Sequence, residues 1–197
     1  MMIDRRDSPP TLRVSIAELV RRKVLAGRLS GEADRASLEA AARRAPAGSL
    51  LVLDLIGVEV ISSSYFAVAL WPLWSIQDLE ASPILANIPE DGVDDILLVL
   101  KDQNAAVWRS STEPHGELVA EVPELFGALD APLQTTLRLV VAKGEVTAAD
   151  LMEADRTIGM TAWSNRLAAL SQLRLLSKRK DGRRLIYAAT WKERIDG

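Results

Sequence analysis

The chain contains no cysteine, which removes disulfides, thiolate nucleophiles and Cys-based zinc sites from consideration. Histidine occurs once, as His115 in the polar stretch STEPHGE. A single imidazole cannot assemble a metal site, so it reads as a solvated loop residue. No apolar run approaches the ~20 residues that a membrane span requires. The opening MMIDRRDSPP has no hydrophobic stretch and reads as a flexible leader rather than a secretory signal. A Gly-rich phosphate loop, a Ser/His/Asp set and an acid pair suited to hydrolysis are all missing, so an enzyme is not expected, and neither is a metal or an organic cofactor. The expectation is a soluble, cytoplasmic protein with no membrane partner.

Charge is unevenly distributed along the chain. Residues 131 to 197 hold 12 Lys or Arg against 7 Asp or Glu, while residues 1 to 130 hold 12 against 20. A weakly acidic protein with a basic end implies two parts with different tasks.

Along the first part, strand and helix patterns alternate. TLRVSI (11–16) reads as a strand. Ser15-Ile16-Ala17-Glu18 has the form of a capping box leading a helix to about Gly27. An Ala-rich helix follows at 33–44, stopped by Pro46-Ala47-Gly48. Leu50 to Ile56 is an almost unbroken Leu/Val run of the kind found in a buried central strand. A helix is expected from about Ser63 to Trp74, a strand at 83–87, a helix at 89–104 with Ile96, Leu97 and Leu100 on one face, and strands at 105–110 and 117–122. Such alternation marks an α/β layer with a partly parallel sheet. Trp71 and Trp74, at helical spacing, read as core or interface residues.

From Pro123 the pattern changes, and the domain boundary is placed there: an α/β domain over 10–122 and a second domain over 123–197. Helices are expected over Thr135–Ala142, from Thr147, and from Thr161, the last with Trp163, Leu167 and Leu170 facing one core. Strands opening at Leu175-Leu176 and returning over 185–189 flank the turn Lys178-Arg179-Lys180-Asp181-Gly182, in which Asp-Gly favours a tight hairpin. This order resembles the winged helix-turn-helix domains of bacterial transcription regulators, including the MarR-like group. The resemblance implies that the third helix enters the major groove of double-stranded DNA through Thr161, Ser164, Asn165 and Arg166. It makes Lys178, Arg179, Lys180, Arg183 and Arg184 the wing. Arg174 departs from that pattern, which commonly has Gly just after the recognition helix. Independently of the family, five cations on one hairpin repel each other unless something negative lies opposite, and phosphates supply that. The alternative is a solvated basic turn on a domain used for protein contacts.

VLDLIGVEVISSSYFAVAL, with the later PILANIPEDGVDDILLVL, resembles the core motif of STAS domains, the fold of anti-sigma-factor antagonists. The resemblance implies a mixed sheet with helices and a protein partner bound near Ser62, Ser63 and Ser64, with Ser63 at the position that a kinase phosphorylates. Ser62 stands where antagonists have Asp, and Tyr65 where they have Gly. Three roles stay open for the serines: a helix cap, a phospho-switch or an unmodified docking surface. Asp54 would suit a receiver domain only with an acidic pair after the first strand, and AELV supplies none.

The function expected is therefore a DNA-binding transcriptional regulator, homodimeric as such regulators often are when they read two half-sites, with a STAS-like sensory or partner-binding domain. The alternative is a partner-switching or scaffold protein acting through protein contacts only.

Overall fold

Five consecutive apolar or acidic residues that lie fully inside the protein, Leu50–Asp54, form strand β3 and organise the sheet around them. The computed structural model describes residues 10–110 and 124–190. His115, the strand expected at 117–122 and the leader at 1–9 lie outside the described residues. On one side of β3 runs β1 (Thr11–Ser15) and on the other β5 (Ser82–Ala86), both parallel to it, in the register Ser15↔Asp54↔Ala86. Strands β6 (Ala106–Ser110) and β7 (Glu124–Gly127) complete a five-stranded sheet of order β1-β3-β5-β6-β7. Because β6 and β7 pair antiparallel, the sheet is mixed. β7 falls at the start of what the sequence suggested as the second domain. Its four residues, ELFG, carry too short a pattern to announce a strand.

Helices fill the crossovers. The expected helix from Ser15 to Gly27 is cut short: α1 spans only Ile16–Val20, and Arg21 then turns left-handed (φ 55°). The expected capping box does not form there, since Ser15 makes no side-chain cap bond. Tertiary pairing prevails over local propensity. The released chain makes β2 (Val24–Leu25), parallel to β4 (Val60–Ile61), which sinks Leu25 and Ile61 into the core. Helix α2 (Arg28–Ala42) begins earlier than expected and continues through Gly31. A Cβ at Gly31 would stand 2.5 Å from Val68 Cγ2, so this residue lets α2 lie against the helical segment after the serines. That segment opens as α3 (Ser63–Tyr65), widens into a π-helical turn at Phe66–Leu70 and tightens into a 3-10 turn at Trp71–Ser75. Pro72 has no N–H for the carbonyl four residues back, which accounts for the irregularity. Trp71 and Trp74 stack at 5.8 Å, with Trp74 buried as expected of a core residue. Pro89 precedes a 3-10 turn at Glu90–Gly92 and helix α4 (Val93–Asp102), which buries Ile96, Val99 and Leu100 while Leu97 is half-buried.

By its internal contacts the described chain divides into two compact units, one holding residues 10–99 and Ser110, the other 100–109 and 124–190. Within the second unit, Asp130 caps α5 (Ala131–Lys143) by accepting from the Leu133 N–H at 2.8 Å. Gly144 (φ 81°) ends the helix and leads to β8 (Glu145–Val146), a strand whose two residues gave no sequence signal. Thr147 and Asp150 form a reciprocal capping box on α6 (Ala148–Ala154). Helix α7 (Met160–Gln172) buries Trp163, Leu167 and Leu170. β9 (Leu176–Asp181) and β10 (Arg184–Ala189) form the hairpin, and β8 joins it to make an antiparallel sheet of order β8-β10-β9. The two-residue loop is Gly182-Arg183, with Gly182 at φ 58°. The turn is thus one residue beyond the expected Asp-Gly, and Lys178, Arg179 and Lys180 lie in β9 itself. Gly at the first loop position suits a turn with one positive φ better than one with two. Among the described residues no helix is long and apolar enough to cross a membrane.

The end of α7 shows how Arg174 replaces the glycine of the winged-helix pattern. The Arg174 N–H donates to the Ser171 carbonyl and the Leu175 N–H to the Leu170 carbonyl, a Schellman arrangement with Arg174 at φ 62°. A side chain in this left-handed position carries a backbone cost that glycine escapes. Arg174→Gly is expected to stabilise the protein by about 1 kcal/mol, read as a rise in the urea midpoint at unchanged m-value.

Candidate functional site

Two surfaces carry the residues singled out in the sequence. The first lies in unit one, where β1, β3 and β5 end. Asp54 is the last residue of β3 and has no exposed surface. Its Oδ1 accepts from the Ile56 N–H at 2.9 Å and from Asn87 Nδ2 at 2.7 Å, and its Oδ2 accepts from Arg13 Nε at 2.5 Å. Arg13 Nη2 also pairs with Oδ2, so the guanidinium and carboxylate form a part-buried ion pair. Asn87 reaches the site from a left-handed turn just after β5 (φ 52°), a conformation that Asn tolerates well. The arrangement ties three strand ends together and fully engages the carboxylate, which is the opposite of an open phospho-acceptor.

The serines follow one turn later. Ser62, not Ser63, is the N-cap of α3: its Oγ accepts from the Tyr65 N–H at 3.3 Å and from the Gly27 N–H at 3.2 Å. With both lone pairs engaged, the Ser62 hydroxyl donates its proton to Ser64 Oγ, 3.1 Å away. Ser63 is half-buried and its backbone N–H donates to Asp95 Oδ1 at 2.8 Å, while Ser64 is exposed. Asp95, on α4, thus already places a negative charge at this helix start. A phosphate on Ser63 would meet that carboxylate rather than a free set of N–H donors. Beneath the serines Tyr65 is fully buried, and its hydroxyl donates to Asp34 Oδ2 at 2.7 Å. Burial first, and that hydrogen bond second, push its pKa well above the usual phenol range. Around this loop Val24, Leu29, Ile56 and Val60 are exposed, with Val24 and Val60 opposite each other in the β2–β4 pair.

The second surface lies in unit two. Of the four residues assigned to base reading, Thr161 and Asn165 are exposed on α7, one turn apart, and Ser164 is half-buried. Arg166 is also half-buried, and its guanidinium lies over the Trp163 ring at 5.2 Å. It also adds, after the Thr157 side-chain and backbone hydrogen bonds, to what holds the Asp155 carboxyl below its ordinary range. Arg166 is therefore engaged within the domain, unlike Thr161 and Asn165. Lys178, Arg179, Lys180, Arg183 and Arg184 are all exposed on the hairpin. Arg179 is not free: its Nη2 lies 2.8 Å from Glu145 Oε2 on β8.

The structure thus draws in Arg13, Asn87, Asp95 and Glu145, which the sequence reading passed over. Each is distant in sequence from the residue it serves, and only the sheet and helix registers bring them together. Among the described residues there is no group of His, Asp and Glu that could hold a metal ion. Comparison of the chain with protein-family models, curated proteins and solved structures returns no match.

Removing the Asp54 carboxylate strands Arg13, Asn87 and the Ile56 N–H together. Asp54→Ala is expected to cost on the order of 3–5 kcal/mol, as for other broken buried pairs, measured by chemical denaturation. For the serines the cap and surface roles separate: Ser62→Ala should cost about 1 kcal/mol, whereas Ser64→Ala should change stability by less than about 0.5 kcal/mol. Equal costs at the two positions would contradict the assignment of Ser62 as the cap.

Proposed function

We propose that the protein is a DNA-binding transcriptional regulator in which a STAS-like unit senses a signal or holds a protein partner and a winged helix-turn-helix unit binds double-stranded DNA. The observation that carries the reading is the second unit: three helices and a three-stranded antiparallel sheet, with Thr161 and Asn165 exposed on the third helix and a cation-rich hairpin after it. An exposed helix face of short polar side chains suits base edges in the major groove, and hairpin cations suit phosphates. A homodimer reading two half-sites fits the same arrangement.

The second reading, a partner-switching or scaffold protein acting through protein contacts only, draws on the first unit. Exposed Val24, Leu29, Ile56 and Val60 around the serine loop offer apolar area of the sort that a protein partner covers. On that reading Ser64, being exposed, and Ser63, beside Asp95, lie within the docking surface, and modification of either would add negative charge there.

The two readings part on one measurement. A labelled duplex of mixed sequence, titrated by fluorescence anisotropy across a salt series, should bind at low salt, and log K should fall linearly with log salt. Asn165→Ala should relax sequence preference, costing on the order of 1–3 kcal/mol at one base pair and little elsewhere. Absence of binding to any duplex at low salt favours the protein-contact reading.

A further inference from the structure

The strand register sorts the hairpin cations onto two faces. In an antiparallel pair, residues directly opposite each other point to the same side. Lys178 lies opposite Tyr187, and Lys180 opposite Leu185. Tyr187 is in turn opposite Val146 of β8, and Tyr187, Val146 and Leu176 are buried. This is the face turned to the helices of the unit, and both α7 and α5 pack on the hairpin. Toward the tip, where the helices no longer cover it, the same face exposes Lys178, Lys180 and Leu185.

The other face has a different composition. Arg179 lies opposite Ile186, Arg184 opposite Asp181, and Glu145 opposite Ala188, so all six share one side. Arg179 reaches across the middle strand β10 to Glu145, a span of about 10 Å between the outer strands. Arg184 has Asp181 directly across from it. It also adds, after the Thr147 hydrogen bonds, to what holds the Asp150 carboxyl low. On this side, then, Arg179 is ion-paired with Glu145, and Arg184 has carboxylates near it in Asp181 and Asp150. On the helix-side face, Lys178 and Lys180 have no ion-pair partner among the described residues. Arg183, in the turn, belongs to neither strand face.

We propose that the hairpin engages DNA phosphates with its helix-side face alone, through Lys178 and Lys180, while Arg179, ion-paired with Glu145, stays on the opposite face. The inference rests on the DNA-binding reading and refines it. Like charge on a hairpin does not by itself identify a phosphate surface, because Arg179 is ion-paired within the fold and Arg184 has Asp181 opposite it. The lysine face has no ion-pair partner among the described residues, and it lies on the side of the sheet against which α7, the helix that carries the exposed Thr161 and Asn165, packs.

The test uses the full chain and a labelled mixed-sequence duplex over a salt series. Lys178→Ala/Lys180→Ala is expected to lose on the order of tenfold or more in affinity at low salt and to flatten the log K against log salt slope by about two units, one per lost contact. Deleting the balanced pair together, Arg179→Ala/Glu145→Ala, is expected to leave affinity within about twofold of wild type and the slope unchanged. All four substituted positions are exposed, and a thermal melt of each variant verifies that it is folded. If the lysine variant binds as the wild type does, or if the pair deletion flattens the slope as much as the lysine variant, the face assignment is wrong while DNA binding stands. If the wild type binds no duplex at low salt, the DNA-binding reading falls, and the face assignment with it.

Discussion

A single buried carboxylate holds the first unit together. Asp54 ends the most deeply buried strand, and its two oxygens accept from Arg13 on β1, from the Ile56 N–H in its own loop and from Asn87 beyond β5. An ionised group with no solvent contact is sustained only when such partners replace its water. The three parallel strands are therefore pinned at their C-terminal ends, in a fixed register. Everything that follows the strands starts from that edge: the short helix α1 after β1, the loop from Ile56 to β4 and the serine turn after it, and the turn into α4 after β5.

The serine turn inherits this rigidity. Ser62 bonds the start of α2 through Gly27 and the start of α3 through Tyr65, and Asp95 closes the same turn from α4. The helix start is thus satisfied from within the protein, and its positive end already faces a carboxylate. A charge added at Ser63 would be opposed by Asp95. One added at Ser64 would disturb the hydroxyl pair with Ser62. The apolar side chains beside the turn stay exposed because the parallel β2–β4 pair turns Leu25 and Ile61 inward and Val24 and Val60 outward.

In the second unit, local chemistry decides most of the architecture. Asp130, Thr147 and Asp150 cap helices with their own side chains, and Gly144 and Gly182 provide the positive backbone angles where the chain reverses. Arg174 takes up a left-handed turn without glycine, held by two backbone hydrogen bonds to the end of α7. On this frame the electrostatics are set by strand pairing. Glu145, the first residue of a two-residue strand that the sequence does not announce, pairs with one arginine of a hairpin rich in basic residues.

Composition and pattern alone determined the class of the protein. The Leu/Val run 50–56 reads as a buried central strand, and residues 50–54 of it form one. The spacing of Trp163, Leu167 and Leu170 pointed to a helix with one buried face, and Thr147 to a helix start. These signals are local, so they are legible without partners. What the sequence could not decide is whatever depends on residues far apart in the chain. The capping-box pattern at Ser15 failed, because β2–β4 pairing drew the chain away after five helical residues. β7 and β8 are too short to show a period and exist because a neighbouring strand offers them hydrogen bonds. Which serine caps, which hairpin arginine is paired and why Asp54 is buried were settled by Gly27, Asp95, Glu145, Arg13 and Asn87. Only the tertiary structure brings those residues within the 3 Å or so over which a hydrogen bond or ion pair acts.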